Sequence, residues 1–264
     1  MCLWGVLWHE FCVFSSTDFV RESAMMNIVR HADLMPEGLN GQPKFPQLGI
    51  EEAANSEYLQ VFGNTIHRSA FVAWDHVKMG TGNVIGPYAC IGYDAQHISA
   101  KSSGKVIIGN NNTLREFSTI HRPTDPNIGT TIGNGNYIMA GANINHDCNL
   151  EDNIVLCNNA TLAGHVYVMS SAFLSMNCSV HQNQIIGSWT IIGMNSCVTK
   201  SAIVEPGYKY FGVPARRRAE NTVSLRRNEV TRDQLRAAKD KFSTLREERN
   251  IARTGSLKLR KERR

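Results

Sequence analysis

The chain has 264 residues, of which 42% are hydrophobic and 19% charged, and it carries a formal net charge of +5. This composition is typical of a soluble globular protein with enough apolar side chains for a packed core. The seven cysteines contain no CxxC pair and no regular short spacing, which argues against a disulfide framework or a zinc–thiolate site and favours a reducing, cytoplasmic compartment.

Residues 1–64 form a predicted N-terminal extension. The opening MCLWGVLWHEFCVF is apolar, but Glu10 interrupts it and no Lys or Arg precedes it. No apolar run reaches the roughly 18 residues of a membrane span, so we predict neither an anchor nor a signal peptide. Met25 and Met26 follow soon after, and we expect the functional chain to begin there, with the preceding residues as upstream sequence.

An aliphatic residue recurs at every sixth position from Ile132 to Val204, and the same phase extends back over Ile120, Leu114 and Ile108 with Pro126 as the one break. A helix places apolar residues three and four apart and a single strand places them two apart, so neither fits. The period predicts short strands joined at corners, with the aliphatic side chains in a shared interior.

Less regular hexads extend the pattern towards the N-terminus, and glycines often follow the aliphatic positions. Earlier coils are indicated at Ile66, Val72, Met79, Ile85 and Ile91, whereas Tyr93 to Lys105 contains no hexad and should loop out. We expect the glycines to turn the chain at φ > 0 at the corners, since glycine tolerates that region. They are Gly109, Gly133, Gly187 and Gly193.

The hexads stop after Val204, and a basic, helix-forming sequence follows. Residues 216–264 hold 17 Lys and Arg against 7 Asp and Glu, a net charge of +10. Leu235, Ala238, Phe242 and Leu245 have helical spacing, and Thr231 is a suitable N-cap. Such a cationic segment either binds phosphates, an acidic protein or nucleic acid, or is only the solvent-exposed face of a helix.

The six-residue period resembles that of hexapeptide-repeat left-handed parallel β-helices, in which three hexads make one triangular coil. The resemblance implies an all-β fold with a small α-helical region at its C-terminal end. We expect the β-helix over residues 65–211 and the basic α-helical region over residues 212–264.

Three segments, NNTLREFSTIHRPT, INHDCNLEDNIVLCNNATLAGHV and SVHQNQIIG, resemble the bacterial acyl-ACP–UDP-N-acetylglucosamine O-acyltransferase family, where ACP is acyl carrier protein. The resemblance implies transfer of a fatty acyl group from an ACP thioester to a hydroxyl or amine of a UDP-N-acetylglucosamine-like nucleotide sugar. It implies a cytoplasmic homotrimer of lipid A biosynthesis with no cofactor beyond the acyl-ACP or acyl-CoA co-substrate. It implies no metal, no nucleic acid and no membrane span.

The resemblance also assigns catalytic roles to three residues. His146 matches the family's general base and Asp147 the carboxylate beside it, which would orient the imidazole and stabilise its cation. This pairing suits the chemistry, because a sugar hydroxyl attacks only when its proton is removed and imidazole titrates near neutral pH. Gly164 matches the backbone N–H that stabilises the negative charge on the thioester oxygen.

Further residues match positions that bind the substrates in the family. His181 and Gln182 would hold substrate or thioester, and Arg216 and Arg217 the nucleotide phosphates, because guanidinium binds phosphate bidentately. Met194 stands where long-chain enzymes of this type carry glycine, which predicts a short or medium acyl chain. The substrate-binding residues are thus Asn143, His165, His181, Gln182, Met194, Arg216 and Arg217.

The chain departs from the family pattern at positions that recognise the nucleotide sugar. Asn143 replaces a histidine, His97 replaces an acid in the loop near DAQHIS, and FGVPARR replaces the segment that meets the nucleotide. The last change is more typical of sugar acetyltransferases of the same fold, so a sugar acetyltransferase using acetyl-CoA is the alternative function. A non-catalytic β-helix scaffold is a second alternative.

A zinc enzyme resembling the γ-class carbonic anhydrases is disfavoured. That class uses two zinc-binding histidines five residues apart, whereas His121, His146, His165 and His181 are separated by 25, 19 and 16 residues. We therefore predict no metal site.

Overall fold

The computed structural model describes residues 57–262, with side chains described as far as Asn250. The predicted N-terminal extension lies largely outside this range, and so does the expected start at Met25 or Met26.

Short β-strands dominate the described residues. In chain order they are β1 (Tyr58–Val61), β2 (Asn64–His67), β3 (Phe71–Val72), β4 (Val77–Met79), β5 (Val84–Ile85), β6 (Cys90–Tyr93), β7 (Val106–Ile108), β8 (Thr113–Leu114), β9 (Thr119–His121), β10 (Thr130–Ile132), β11 (Tyr137–Ile138), β12 (Asn143–Ile144), β13 (Asn149–Leu150), β14 (Val155–Leu156), β15 (Thr161–Leu162), β16 (Tyr167–Val168), β17 (Phe173–Leu174), β18 (Ser179–Val180), β19 (Ile185–Ile186), β20 (Ile191–Ile192), β21 (Cys197–Val198), β22 (Tyr208–Phe211) and β23 (Arg216–Glu220). The helices are a 3-10 turn (Trp74–His76), α1 (Thr222–Arg227) and α2 (Arg232–Glu262).

The strands form three sheets that the chain visits in turn. Sheet 1 has the order β1-β2-β5-β8-β11-β14-β17-β20-β22-β23, sheet 2 the order β3-β6-β9-β12-β15-β18-β21, and sheet 3 the order β4-β7-β10-β13-β16-β19. From β10 to β22 neighbouring strands within a sheet are parallel and pair residues eighteen apart, as Asn143 pairs with Thr161 and Thr161 with Ser179. This is the predicted parallel β-helix with eighteen residues per coil.

The predicted aliphatic positions form the interior of the coil. Every sixth residue from Ile132 to Val204 is buried, as are Ile120, Leu114 and Ile108. Complete burial of such a side chain stabilises the fold by about 1.5–3 kcal/mol. The hexad rule therefore identifies the core correctly.

The glycine prediction at the corners is wrong. Backbone φ is positive three residues after the aliphatic position, where Asp147, Asn153 and His165 have φ of 60°, 56° and 60°. Among the residues at positive φ, the four predicted glycines are absent. Two of them are required by space instead, because a Cβ on Gly193 would overlap the Phe211 ring and one on Gly187 would overlap Pro206.

Two loops leave the coil at the corner between sheets 2 and 3. The first spans residues 94–105 between β6 and β7, which confirms the loop predicted from Tyr93 to Lys105. The second spans residues 122–129 between β9 and β10 and contains Pro126, the one break in the hexads.

The C-terminal region closes the last coils. β22 and β23 form an antiparallel hairpin at the edge of sheet 1, and α1 and α2 follow. The predicted N-cap of α2 is confirmed as a capping box, since Thr231 Oγ1 accepts from Gln234 N–H and Gln234 Oε1 accepts from Thr231 N–H. Among the described residues, none of the helices is apolar over a stretch long enough to cross a membrane.

Helix α2 packs on sheet 3 through an apolar cluster and one half-buried carboxylate. Ala238 and Phe242 are buried against Met169 and Ile185. Glu151 accepts hydrogen bonds from Tyr167 Oη at 2.6 Å and from the Ser170 N–H and Oγ, and it lies 2.8 Å from Lys241 Nζ of the helix. Burial alone would raise the pKa of Glu151, but these partners outweigh it and lower the pKa.

The lowered pKa predicts how Glu151 contributes to stability. At pH 7, Glu151→Gln should lower the free energy of unfolding by about 1–3 kcal/mol, because it leaves buried donors poorly paired. Because the folded pKa is depressed, the contribution is complete above the usual Glu pKa of about 4.3 and disappears as pH falls through the folded value. Urea unfolding of wild type, Glu151→Gln and the exposed control Glu247→Gln checks this, and equal effects of the two substitutions at pH 7 would contradict it.

Candidate active site

The corner between sheets 2 and 3 brings two histidines and an aspartate together. His146 and Asp147 follow β12, and eighteen residues later Gly164 and His165 occupy the equivalent positions after β15. His165 N–H donates to the His146 carbonyl at 2.9 Å, which fixes the two coils one above the other. The imidazole centroids of His146 and His165 are 5.2 Å apart and the rings are perpendicular.

His146 and Asp147 form a short hydrogen bond. The His146 Nδ1 atom lies 2.7 Å from Asp147 Oδ2, and both side chains are buried. A carboxylate accepts hydrogen bonds only, so the imidazole proton lies on Nδ1. The Nε2 lone pair of His146 is then available to accept a proton.

Asp147 is held by the loop of residues 122–129. Its carboxylate accepts from Thr124 Oγ1 at 2.7 Å and from the N–H groups of Thr124 and Asp125, while its own N–H donates to Thr130 Oγ1. Burial alone would raise the pKa of Asp147, but the hydrogen bonds from Thr124, His146 and Asp125 outweigh burial and lower it. Asp147 is therefore ionised at neutral pH.

His165 lies near the same carboxylate oxygen of Asp147. Its Nε2 atom is 3.5 Å from Asp147 Oδ2, too long for a strong hydrogen bond. Burial lowers the pKa of His165, Asp147 opposes this shift, and His146 and Arg249 add to it. The neutral imidazole is thus favoured at pH 7.

Gly164 makes room for the His146 imidazole. A Cβ atom at this position would overlap the Cε1 atom of His146 and lie 2.6 Å from its Nε2. Within the described part of the chain, no group accepts a hydrogen bond from the Gly164 N–H. The glycine therefore combines a small volume with an unused donor beside His146.

Two further histidines lie at this corner. His97, in the loop of residues 94–105, accepts the Ser99 and Ala100 N–H groups at Nδ1, and its ring centroid is 5.4 Å from that of His146. A neutral His97 therefore carries its proton on Nε2. The sequence singled out His97 only as a departure from the family, because a loop without hexads cannot be placed from the pattern.

His121 at the end of β9 is buried and has one unsatisfied nitrogen. Its Nδ1 donates to the Asp94 carbonyl at 2.8 Å, and its Nε2 has no partner among the described residues. Burial lowers the pKa of His121, the Asp94 carbonyl opposes the shift, and His146 adds to it. The Nε2 atom of neutral His121 is therefore a buried hydrogen-bond acceptor. The sequence signal that could have identified His121 was the HRPT segment of the first motif.

Asn143 presents a second acceptor of this kind. Its Nδ2 donates to Thr119 Oγ1 at 2.6 Å, while Oδ1 is buried without a partner in the described residues. Asn143 and His121 lie on neighbouring strands of sheet 2, since Asn143 pairs with Thr119.

Comparison with known proteins identifies the family. No protein-family model matches the chain. It is 37% identical over 166 residues to an acyl-(acyl carrier protein)–UDP-N-acetylglucosamine O-acyltransferase of Synechocystis sp., a match that covers 62% of this chain and 59% of that relative. A UDP-N-acetylglucosamine acyltransferase from Bacteroides fragilis superposes with a TM-score of 0.61 at 27% identity, over 67% of this chain and 69% of that one.

A UDP-N-acetylglucosamine acyltransferase from Campylobacter jejuni decides the assignment, because the match covers 82% of its chain and 69% of this one at 30% identity and a TM-score of 0.55. The chain belongs to the UDP-N-acetylglucosamine acyltransferase family. These superpositions also confirm the left-handed parallel β-helix predicted from the hexads. The chain nevertheless spans less than two thirds of the length of the Synechocystis relative.

The other residues predicted to bind substrate lie in three places: the His146 corner, the corner between sheets 1 and 2, and strand β23. Gln182 continues the stack of His146 and Gly164 by one more coil, and its neighbour His181 is exposed beside it. Met194 is 61% exposed and lies at the corner between sheets 1 and 2. Within a single chain it is therefore at a different corner of the coil from His146.

The two predicted phosphate-binding arginines lie in β23. Arg217 is paired with Glu205 Oε2 at 2.8 Å, and its guanidinium is 4.6 Å from the centroid of the Tyr208 ring. Arg216 is exposed and lines a cavity together with Arg217. Both stand apart from the corner that carries His146.

His146, Asp147 and His165 could also hold a metal ion, since one ligand atom from each lies within 4.8 Å of the others. The hydrogen bonds argue against this use. Asp147 Oδ2 already accepts from His146 Nδ1 and Thr124 Oγ1. The absence of a metal stays a prediction.

The contact of Gly164 with His146 predicts a specific effect of one methyl group. Gly164→Ala should displace the His146 ring and break its hydrogen bond to Asp147, so that the Nδ1–Oδ2 distance of 2.7 Å exceeds the hydrogen-bond range. A crystal structure of the variant measures this distance. Asn158→Ala, at the equivalent position of another corner, is the control and should leave the distance unchanged. A Gly164→Ala structure with the short hydrogen bond intact would contradict the prediction.

Proposed function

We propose that the chain transfers an acyl group from an acyl carrier protein thioester to a hydroxyl or amine of a UDP-N-acetylglucosamine-like nucleotide sugar. The observation that carries the proposal is the buried hydrogen bond from His146 Nδ1 to Asp147, which leaves Nε2 as a proton acceptor. Family membership supports the reaction class, since the relatives are named as acyltransferases of this kind. We assign the transfer to the β-helix of residues 65–211.

The proposed reaction uses His146 as base and then as acid. As the acceptor oxygen or nitrogen attacks the thioester carbon, His146 Nε2 takes its proton, and Asp147 stabilises the imidazolium. The tetrahedral oxyanion would accept a hydrogen bond from the Gly164 N–H, and one such donor lowers the barrier by about 3 kcal/mol. The intermediate then expels the thiolate, which takes the proton from His146.

Asn143, His121 and His97 are suited to orient the acceptor. The Asn143 Oδ1 and His121 Nε2 atoms are buried acceptors without described partners, and leaving such an atom unpaired costs about 1–3 kcal/mol. A hydroxyl, amide N–H or amine of the sugar would satisfy them. His97 Nε2–H would donate to a sugar oxygen near His146. His165, His181 and Gln182 line the same corner and would contact the sugar or the thioester.

We propose that the protein is a cytoplasmic homotrimer that needs no cofactor beyond the acyl-ACP or acyl-CoA co-substrate. Large apolar side chains that are exposed on one chain support an assembly, and Tyr88 and Phe117 stack at 5.2 Å while both are about 60% exposed. The basic C-terminal region suits an acidic carrier protein. All five cysteines in the described residues are free thiols, as a reducing compartment requires.

Removing the base tests the proposed function. His146→Ala should lower acyl transfer about 10²- to 10⁴-fold, because general base catalysis contributes that much, and Asp147→Asn should cost less since it orients the base. Mass spectrometry of products from UDP-sugars with acyl-ACP and acyl-CoA thioesters measures transfer, with His76→Ala as the control. Near-normal transfer by a folded His146→Ala would refute this role, and no transfer by the wild type would favour a non-catalytic scaffold.

We further propose that Met194 limits the length of the acyl chain. Its exposure rules out interior packing within one chain and leaves its thioether available to a neighbouring subunit or ligand. In a trimer of the family type, the corner of one β-helix that carries Met194 would face the corner of the neighbouring β-helix that carries His146. A methionine there would exclude several methylene groups, each worth about 0.8 kcal/mol when buried.

The preferred acyl chain should therefore lengthen in Met194→Gly. A ladder of acyl-ACP donors measures the preference. The control is Met176→Gly at the same corner one coil earlier, whose side chain is 45% exposed, and light scattering should find each protein trimeric. An unchanged preference in Met194→Gly, or the same lengthening in Met176→Gly, would contradict this role of Met194.

A further inference from the structure

A cationic cavity lies between the last coils and helix α2. It has a volume of about 250 Å³, and its charged lining residues are Lys200, Arg246 and Arg249. Among the described residues that line it, none is acidic. A cavity of this size is smaller than the roughly 300–1,000 Å³ of sites that enclose a whole drug-sized ligand, so it suits an anionic part of a larger molecule.

Contacts hold the two arginines of this cavity in place. The Arg249 guanidinium donates to the Gln184 carbonyl at 3.0 Å, and the Arg246 guanidinium lies 5.8 Å from the centroid of the buried Phe242 ring. Phe242 itself anchors α2 on sheet 3. Lys200 beside the last coils and Arg246 on α2 thus both line the cavity, and none of its described lining residues is acidic, an arrangement that attracts anions.

The cavity adjoins the catalytic corner. Asn183, which lines it, donates its N–H to the Gly164 carbonyl at 3.0 Å and occupies the position one coil beyond His165. Arg249 is close enough to lower the pKa of His165, behind the larger effects of burial, Asp147 and His146. Neighbouring strands lie about 4.8 Å apart, so the cavity starts one coil from the imidazoles.

We infer that Lys200 and Arg246 bind a phosphate group of one of the two substrates. This rests on the proposed function and names a site for phosphate other than Arg216 and Arg217. Arg217 is already paired with Glu205, whereas the cavity offers Lys200 and Arg246 to a phosphate beside the acyl-transfer corner. Two sources share the chemistry: the diphosphate of the nucleotide sugar and the phosphodiester of the carrier's phosphopantetheine arm.

Direct binding measurements on the full chain test the site without relying on turnover. Calorimetry with pyrophosphate, UDP-N-acetylglucosamine and 4′-phosphopantetheine compares wild type with Lys200→Met and Arg246→Met. The control is Arg236→Met, an exposed arginine on the same helix outside the cavity. Loss of one charge-assisted hydrogen bond weakens binding by about tenfold or more.

The expected result is weaker pyrophosphate binding in both cavity variants and no change in Arg236→Met. Weaker binding of UDP-N-acetylglucosamine identifies the diphosphate as the source, and weaker binding of 4′-phosphopantetheine identifies the donor arm. Unchanged binding of all three probes in Lys200→Met and Arg246→Met overturns the inference. The binding measurements do not require catalysis. An inactive wild type would therefore refute the proposed function, while the comparison of pyrophosphate binding between the variants could still be interpreted.

Discussion

The eighteen-residue register of the coil determines how His146, Asp147, Gly164 and His165 come together. Parallel pairing places residue n beside residue n + 18, so Asp147, His165 and Asn183 share one corner, and His146, Gly164 and Gln182 share the position before it. The buried aliphatic residues hold this register, because a shift by one residue would turn them to solvent. One repeat therefore places three features side by side: the His146–Asp147 pair, the unused Gly164 N–H and the edge of the cationic cavity.

Burial and charge oppose each other at this corner, and the hydrogen bonds decide the outcome. Burial favours the neutral form of every ionisable group, and it lowers the pKa of His121 and His165. Asp147 remains ionised only because Thr124, Asp125 and His146 donate to it. The loop of residues 122–129 therefore holds the Asp147 carboxylate in its ionised form beside His146, although the loop interrupts the repeat.

The buried repeat, the position of the loop after Tyr93 and the helix cap were predictable from the sequence, whereas the conformations of the loops were not. The buried hexads and the cap at Thr231 follow from local rules and are confirmed. The corner glycines were misread because the left-handed residue comes two positions later, where Gly135 and Gly141 are glycine but Asn, Asp or His stands at other corners. Positive φ at Asp147 and His165 is therefore a property of the coil, shared with Asn153, and is no sign of function by itself.

The hydrogen-bond partners of Asp147 and the approach of His97 to His146 depend on loop conformations that no period encodes.

The proposed function requires that Asp147 fixes the proton of His146 on Nδ1 and leaves Nε2 as a proton acceptor. Imidazole ¹⁵N NMR of the full chain at neutral pH measures this tautomer directly, with His146→Gln used to assign the signals. The account predicts a protonated Nδ1 with a strongly hydrogen-bonded proton and an unprotonated Nε2. A His146 imidazole with its proton on Nε2 would contradict it.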